Sequence, residues 1–214
     1  MKKLFTKITE NPDKVRQYQY RSIKFLLMLL GIYTLIFAVS CSKDDDDNSV
    51  IYPEENPLTK YYEQTGFNMI NPVVDDFSFE FGLAFSSNVK GKINALAVRI
   101  PDANPNLRIT IWDYDAQTVL RTETVNVESA NSEVTKSIES LPLEKDKKYL
   151  ITMNSNDWYY SSRSDESEAA YPITAGNIVF YEFRSKFDDV QTFPNLVYED
   201  YNAGDLSFVF QQTD

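Results

Sequence analysis

An alternation of large apolar residues with small or polar residues at positions 77–86 is the feature that most constrains how this 214-residue chain can fold. Every second position carries a large apolar side chain, namely Phe77, Phe79, Phe81, Leu83 and Phe85. Successive side chains of a strand point to opposite faces of a sheet, so a period of two predicts a strand with one buried, aromatic face. Such a strand requires a second apolar layer to cover that face.

Short segments of strand character, separated by turn residues, continue to the end of the chain. With the first strand they make about nine, at residues 92–100, 107–112, 118–127, 133–138, 148–153, 158–163, 178–183 and 206–210. Helical periodicity is too short anywhere in this body to predict a helix. We therefore predict an all-β domain over residues 60–214, an antiparallel β-sandwich of jelly-roll type, with residues 60–74 packing across one end.

The absence of histidine excludes several classes of chemistry. The chain has no Ser-His-Asp or Cys-His catalytic arrangement and no histidine-bound metal. Its single cysteine, Cys41, has no partner for an internal disulfide or a cysteine-bound zinc ion. The sequence also lacks a glycine-rich phosphate loop and a nucleophile elbow. We predict no catalytic residues, no required cofactor and no enzymatic activity.

The first 40 residues differ in charge and hydropathy from the rest of the chain. They hold seven basic and two acidic residues, and positions 25–39 are 15 uncharged, mostly apolar residues. A membrane-spanning helix needs about 20 such residues, whereas the apolar part of a secretory signal has about 7–15. We predict a signal helix in residues 1–40 that is removed. The alternative is an uncleaved anchor, in which case Cys41 has no special role.

The small residues Ala38 and Ser40 stand directly before Cys41, and this arrangement resembles the signal of bacterial lipoproteins. The resemblance implies cleavage before Cys41 and acylation of that residue. Several acyl chains together hold a protein firmly to a membrane, while one chain gives only marginal attachment. The implied partner of the chain is therefore a membrane, through the lipid on Cys41.

Four consecutive aspartates, Asp44, Asp45, Asp46 and Asp47, follow the cysteine and are called the aspartate run below. Adjacent carboxylates repel one another, so the run stays solvated, and residues 41–59 are predicted to form a flexible tether. The run is also similar to the acidic export signal that follows the lipidated cysteine in one group of Gram-negative bacteria. That similarity implies an outer-membrane location facing the exterior. The alternative is a simple spacer.

Residues 41–214 carry 14 basic and 30 acidic residues, a net formal charge of −16. So acidic a body repels phosphate backbones, and we expect no nucleic-acid partner.

Four motifs within residues 77–163 resemble domain-of-unknown-function family 4082, found in bacterial surface and secreted proteins. They are an F-x-x-G-x-x-F-like opening strand at 79–85, a G-x-I strand at 91–93, the Trp-Asp turn at 111–113 and a closing strand at 149–151. The resemblance implies a β-sandwich at the cell surface, often beside carbohydrate-handling domains. It implies no defined activity and no site residues.

The most suggestive binding motif is Asp157-Trp158-Tyr159-Tyr160-Ser161-Ser162-Arg163. In a strand, Trp158 and Tyr160 share one face, where their rings could stack on sugars while Asp157 and Arg163 bond hydroxyls. The alternative is that these rings cover the end of the core. The aromatic segment 193–201 would line the same end or seal it, with Tyr198 and Tyr201 as its tyrosines.

A second candidate is Asp113 with Asp115, at a strand end. Two carboxylates so close could contribute to a Ca²⁺ site, because calcium takes oxygen ligands. Asp side chains at this spacing also cap turns by accepting backbone N–H bonds, which is the alternative.

Taken together, these patterns predict a surface lipoprotein with a non-catalytic binding or adhesion module, and glycan is the expected ligand. The alternative from another class is a structural or accessory subunit that docks a protein partner at the cell surface. A third, less favoured alternative is an enzyme that acts on polysaccharide.

Overall fold

A computed structural model describes residues 50–214 of the chain. The signal helix, Cys41 and the aspartate run lie outside the described residues. Within 50–214, no helix is both long enough and apolar enough to cross a membrane.

Two antiparallel sheets enclose the hydrophobic core, which confirms the predicted all-β sandwich. The first sheet has the strand order β1 (Glu54–Glu55), β11 (Asp205–Gln212), β3 (Gly91–Arg99), β6 (Val134–Leu143). The second has the order β10 (Leu196–Tyr198), β9 (Ile178–Phe187), β2 (Met69–Ser87), β7 (Lys148–Ser162), β4 (Asn104–Asp113), β5 (Thr118–Val127), with β8 (Ile173–Ala175) paired to β9.

The aromatic face of β2 forms the centre of the core. Phe81, Leu83 and Phe85 are all at least 96% buried. The ring of Phe85 lies 4.7 Å from that of Phe208 on β11, centroid to centroid, so the two sheets meet through these rings. Burying one such side chain contributes about 1.5–3 kcal/mol.

The strands differ from the prediction in number and length. Segments 148–153 and 158–163, predicted as two strands, belong to the single strand β7, which pairs along most of β2. The ladder between β2 and β7 is interrupted only between Val74 and Phe79, which leaves residues 75–78 without ladder partners. With the short strands β1, β8 and β10, the described chain has eleven strands instead of about nine.

One helix, α1 (Pro57–Thr65), was not predicted. Asn56 caps its start by accepting the Leu58 N–H at 3.0 Å, and Gly66 ends it with a φ of 66° while donating to the Tyr62 carbonyl at 3.0 Å. The C-terminal boundary of the predicted tether, residues 41–59, therefore lies too far along the chain. Residues 54 and 55 already pair with β11, because the sheet edge offers them backbone partners.

Candidate functional site

An aromatic groove lies beside strands β2, β7, β9 and β10. Its volume is about 310 Å³, at the lower end of the range of about 300–1,000 Å³ for small-molecule sites. Eight side chains line it: Asp75, Phe79, Phe81, Trp158, Phe183, Ser185, Tyr198 and Tyr201. Six of the eight are aromatic, so the groove offers ring faces and edges with a few polar groups among them.

Trp158 forms one wall of the groove. Its ring centroid lies 5.6 Å from that of Phe79 and 5.5 Å from that of Phe81, both in edge-on geometry. The indole is partly exposed and packs against the core through these rings. Trp158 therefore covers the end of the core and also borders a cavity.

Tyr201 and Tyr198 also line the groove. The Tyr201 ring lies 5.1 Å from that of Phe183 and 5.6 Å from that of Tyr198, which is 37% exposed. Tyr160 does not line the cavity itself, but its ring lies 5.3 Å from that of Tyr201 and supports it from behind. The segment 193–201 thus lines the same end as the Trp158 motif.

Tyr159 points away from the groove. The guanidinium of Arg99 on β3 lies 4.5 Å above its ring, and its hydroxyl donates to the Asn131 side chain. The alternation along β7 thus separates Tyr159 from its two aromatic neighbours, as expected for a strand.

Asp157 and Arg163 lie apart from the groove and have structural partners. The Asp157 carboxylate is 98% buried and accepts the Asp102 N–H at 2.7 Å and the Ser155 hydroxyl at 2.6 Å. Arg163 donates to the Thr65 carbonyl at 2.6 Å and the Glu168 carbonyl at 2.7 Å. Of the four predicted ligand-binding residues, the structure brings only Trp158 to the groove wall, with Tyr160 behind it.

Asp75 is the charged residue of the groove that the sequence did not reveal. It belongs to the unpaired segment 75–78, and its backbone carbonyl accepts the Asn156 amide at 2.9 Å. One carboxylate oxygen accepts the Phe77 N–H at 3.1 Å. Phe183 and Ser185 were also missed as groove residues, because β9 is adjacent to β2 only through tertiary pairing.

The polar atoms inside the groove are incompletely partnered. The Trp158 indole N–H is buried and has no hydrogen-bond partner among the described residues. Burial raises the pKa of the Tyr201 hydroxyl, and the neighbouring indole opposes that rise, although the two groups do not meet hydrogen-bond geometry. An unpartnered buried donor costs about 1–3 kcal/mol.

The Asp113 carboxylate is held by a turn and a lysine. One oxygen accepts the Ala116 N–H at 2.9 Å and the other lies 3.0 Å from the Lys147 ammonium. The Ala116 N–H, aided by Lys147, lowers the pKa of Asp113. This is the turn chemistry of the alternative interpretation. Asp115 is exposed, and residues 50–214 contain no group of three or more acidic or cysteine side chains placed to hold a metal.

A second, more polar cavity of about 420 Å³ lies beside α1, β3 and β11. Its buried carboxylate, Asp205, accepts from the Arg99 guanidinium, with Nε at 2.7 Å, and from the Tyr62 hydroxyl. Burial, followed by the charge of Asp205, raises the pKa of Tyr62. These groups satisfy one another and join the helix to the first sheet, so we regard the aromatic groove as the candidate site.

A scan of the chain against protein-family models and a search of the curated proteins both find no match. The resemblance to family 4082 therefore stays a prediction.

Proposed function

We propose that this protein is a lipoprotein of the outer-membrane surface whose β-sandwich binds glycan in the aromatic groove without catalysing a reaction. Acylation of Cys41 would anchor it, and the aspartate run would direct it to the exterior. The proposal extends the resemblances to lipoprotein signals and to family 4082.

The observation that carries the glycan proposal is that Trp158, Tyr198 and Tyr201 line one groove together. A sugar ring has an apolar face of C–H groups and an edge of hydroxyls. Aromatic side chains that combine an apolar ring with a polar edge suit both surfaces. Hydroxyl partners are available from Ser185 and the tyrosines.

Glycan-array binding by the full-length protein, purified in detergent, tests this proposal. Tyr198→Ala removes an exposed wall of the groove, and we expect binding to weaken about tenfold, as is usual for an aromatic residue at the centre of a binding site. Tyr181→Ala is the matched control. Tyr181 is a partly exposed tyrosine of β9, but its ring lies beneath the Lys148 ammonium, 4.4 Å away, outside the groove.

A second candidate, docking of a protein partner, is favoured by the apolar rim next to the groove. Phe77 and Phe187 are each 59% exposed, and their ring centroids lie 5.2 Å apart. A negative array together with a partner that co-purifies in wild type but not in Phe187→Ala would overturn the glycan proposal in favour of this candidate. Glycan binding that Tyr198→Ala weakens and Phe187→Ala retains would support the glycan proposal.

A further inference from the structure

We infer that the aromatic groove prefers a glycan that carries a free ammonium group, that is, an amino sugar, and that Asp75 pairs with that ammonium. The inference rests on the proposed glycan binding and names the class of sugar. It stands on three features of the groove: its ring faces, its carboxylate and the absence of an internal cation among the described residues.

The faces of aromatic rings attract cations because the π-electrons give them a negative electrostatic potential. Elsewhere in residues 50–214, several tyrosine rings have a cation over them. Arg184 lies 5.0 Å from the Tyr114 ring centroid, Lys148 lies 4.4 Å from that of Tyr181, and Arg99 lies 4.5 Å from that of Tyr159.

The groove differs from these clusters. Within residues 50–214, no lysine or arginine lies over any of its six rings, although the same part of the chain holds 13 basic residues. The more exposed rings of the groove, those of Trp158, Tyr198 and Tyr201, thus have no cation of their own among the described residues.

Asp75 supplies a negative charge in the groove, which would attract a cationic ligand. One of its oxygens bonds the Phe77 N–H, and the other has no hydrogen-bond or ion-pair partner among the described side chains. The charge of the whole described body acts in the same direction, since 26 acidic against 13 basic residues give a net of −13. This field attracts cationic ligands and repels acidic ones.

The shape of the groove favours a sugar over a lysine side chain. Trp158, Tyr198 and Tyr201 line the groove with aromatic rings, whose broad flat surfaces match a sugar ring better than a single methylene chain. An amino sugar combines both requirements, because its C–H face stacks on aromatic rings while its ammonium reaches the carboxylate.

The test compares two ligands that differ in charge: a β-1,4-linked glucosamine oligomer and the N-acetylglucosamine oligomer of equal length. The full-length protein is titrated with each by calorimetry, at a pH where the free amine is protonated. We expect the cationic oligomer to bind about tenfold more tightly at low salt, and this preference to shrink as salt is added.

Asp75→Asn and Asp76→Asn form a matched pair of variants. The asparagine side chain in the first variant retains an oxygen to accept the Phe77 N–H and removes only the charge, so the fold is expected to persist. Asp76 is an exposed neighbour that does not line the groove. Asp75→Asn should weaken binding of the cationic oligomer about fivefold and leave the acetylated one unchanged, whereas Asp76→Asn should change neither.

The outcomes separate this inference from the proposed function. Equal binding of both oligomers, or tighter binding of the acetylated one, overturns the amino-sugar preference and leaves glycan binding standing. Binding of neither oligomer nor of any neutral glycan on the array overturns both. Competition by polylysine without binding of glucosamine oligomers also overturns the inference, because the cation would then come from a polypeptide.

Discussion

The indole of Trp158 lies edge-on against the ring of Phe81, with their centroids 5.5 Å apart. Phe81 is 97% buried in the core, while Trp158 is partly exposed at the groove. One contact therefore connects the candidate binding surface to the packing of the sandwich.

This connection predicts that Trp158→Ala loses both stability and binding. Removing the partly buried indole should lower the free energy of unfolding by about 2 kcal/mol, because the core loses its cover. Tyr198→Ala, at an exposed position, should cost less than about 1 kcal/mol. Urea unfolding measures both. Equal stability of wild type and Trp158→Ala would show that the indole does not cover the core.

The buried ion pair between Glu80 and Arg108 predicts that replacing the Glu80 carboxylate by an amide strongly destabilises the protein. The Glu80 side chain is fully buried, accepts the Thr152 hydroxyl and lies 2.9 Å from the Arg108 guanidinium. Glu80→Gln leaves Arg108 without its counter-charge and should lower the free energy of unfolding by about 2–3 kcal/mol.

Glu139→Gln is the control for that prediction, because Glu139 is 89% exposed and lies 3.7 Å from Arg121. Glu139→Gln should lower the free energy of unfolding by less than about 0.5 kcal/mol. Thermal unfolding of both variants decides the matter. Similar losses from the two variants would contradict the assignment of a buried pair to Glu80.

The turn at Asp113 predicts a contribution to stability that depends on pH. The fold lowers the pKa of Asp113, through the Ala116 N–H first and Lys147 second, relative to the ordinary carboxyl value of 3.8. The ionised form is thus favoured in the folded state. Its stabilising effect is complete above the ordinary pKa and is lost as the pH falls through the lowered pKa.

Asp113→Asn should therefore destabilise the protein at neutral pH, and the difference from wild type should fade as the pH falls below about 4. Denaturant midpoints measured across this range provide the check, with Asp115→Asn as a control for an exposed carboxylate. If the stability difference between Asp113→Asn and wild type grew toward low pH, the lowered pKa of Asp113 would be contradicted.

Acylation of Cys41 predicts a specific biochemical result. Cells given a fatty-acid analogue should label the wild-type protein, and Cys41→Ala should lose the label completely, because no other cysteine exists in the chain. Ser42→Ala should keep it. Label that persists in Cys41→Ala would exclude acylation at this residue.

The aspartate run predicts exposure on intact cells. Changing all four aspartates to asparagine should leave acylation intact but protect the protein from protease added outside. Neutralising Asp165, Glu166 and Glu168, which are exposed in a loop, should leave it accessible. If both variants are digested like wild type, the run is only a spacer.

The alternation in β2 predicted the inward positions of Phe81 and Phe85, because local period reports which side chains share a face. The same alternation wrongly suggested that Phe77 is buried, although it is 59% exposed. The reason is the break in pairing after Val74, which no local pattern of residues reveals.

A local sequence pattern could not predict that Glu80 is buried either. In an alternating strand its position belongs to the solvent face, but segment 188–195 returns over that face. The Arg108 guanidinium donates to the Asp189 carbonyl at 3.0 Å, and Arg184 donates to the Pro194 carbonyl at 3.0 Å. Contacts so distant in sequence depend on the tertiary fold.

Helix α1 had readable signals at both ends, an Asn-Pro start and a Gly end, but it is only nine residues long. The groove was partly predictable for a similar reason. Trp158, Tyr198 and Tyr201 stand in aromatic clusters of the sequence, whereas Asp75, Phe183 and Ser185 join them only through the registers of β2 and β9.

The unpaired segment 75–78 has an evolutionary consequence. Asp75 borders the groove from a stretch that takes no part in the ladders with β7 and β9, so its side chain can be replaced without disturbing the sheet. On the amino-sugar inference, descendants of this chain could change from cationic to neutral or acidic ligands by single substitutions at one position. The aromatic walls, tied to the core through Phe81, would meanwhile be inherited unchanged.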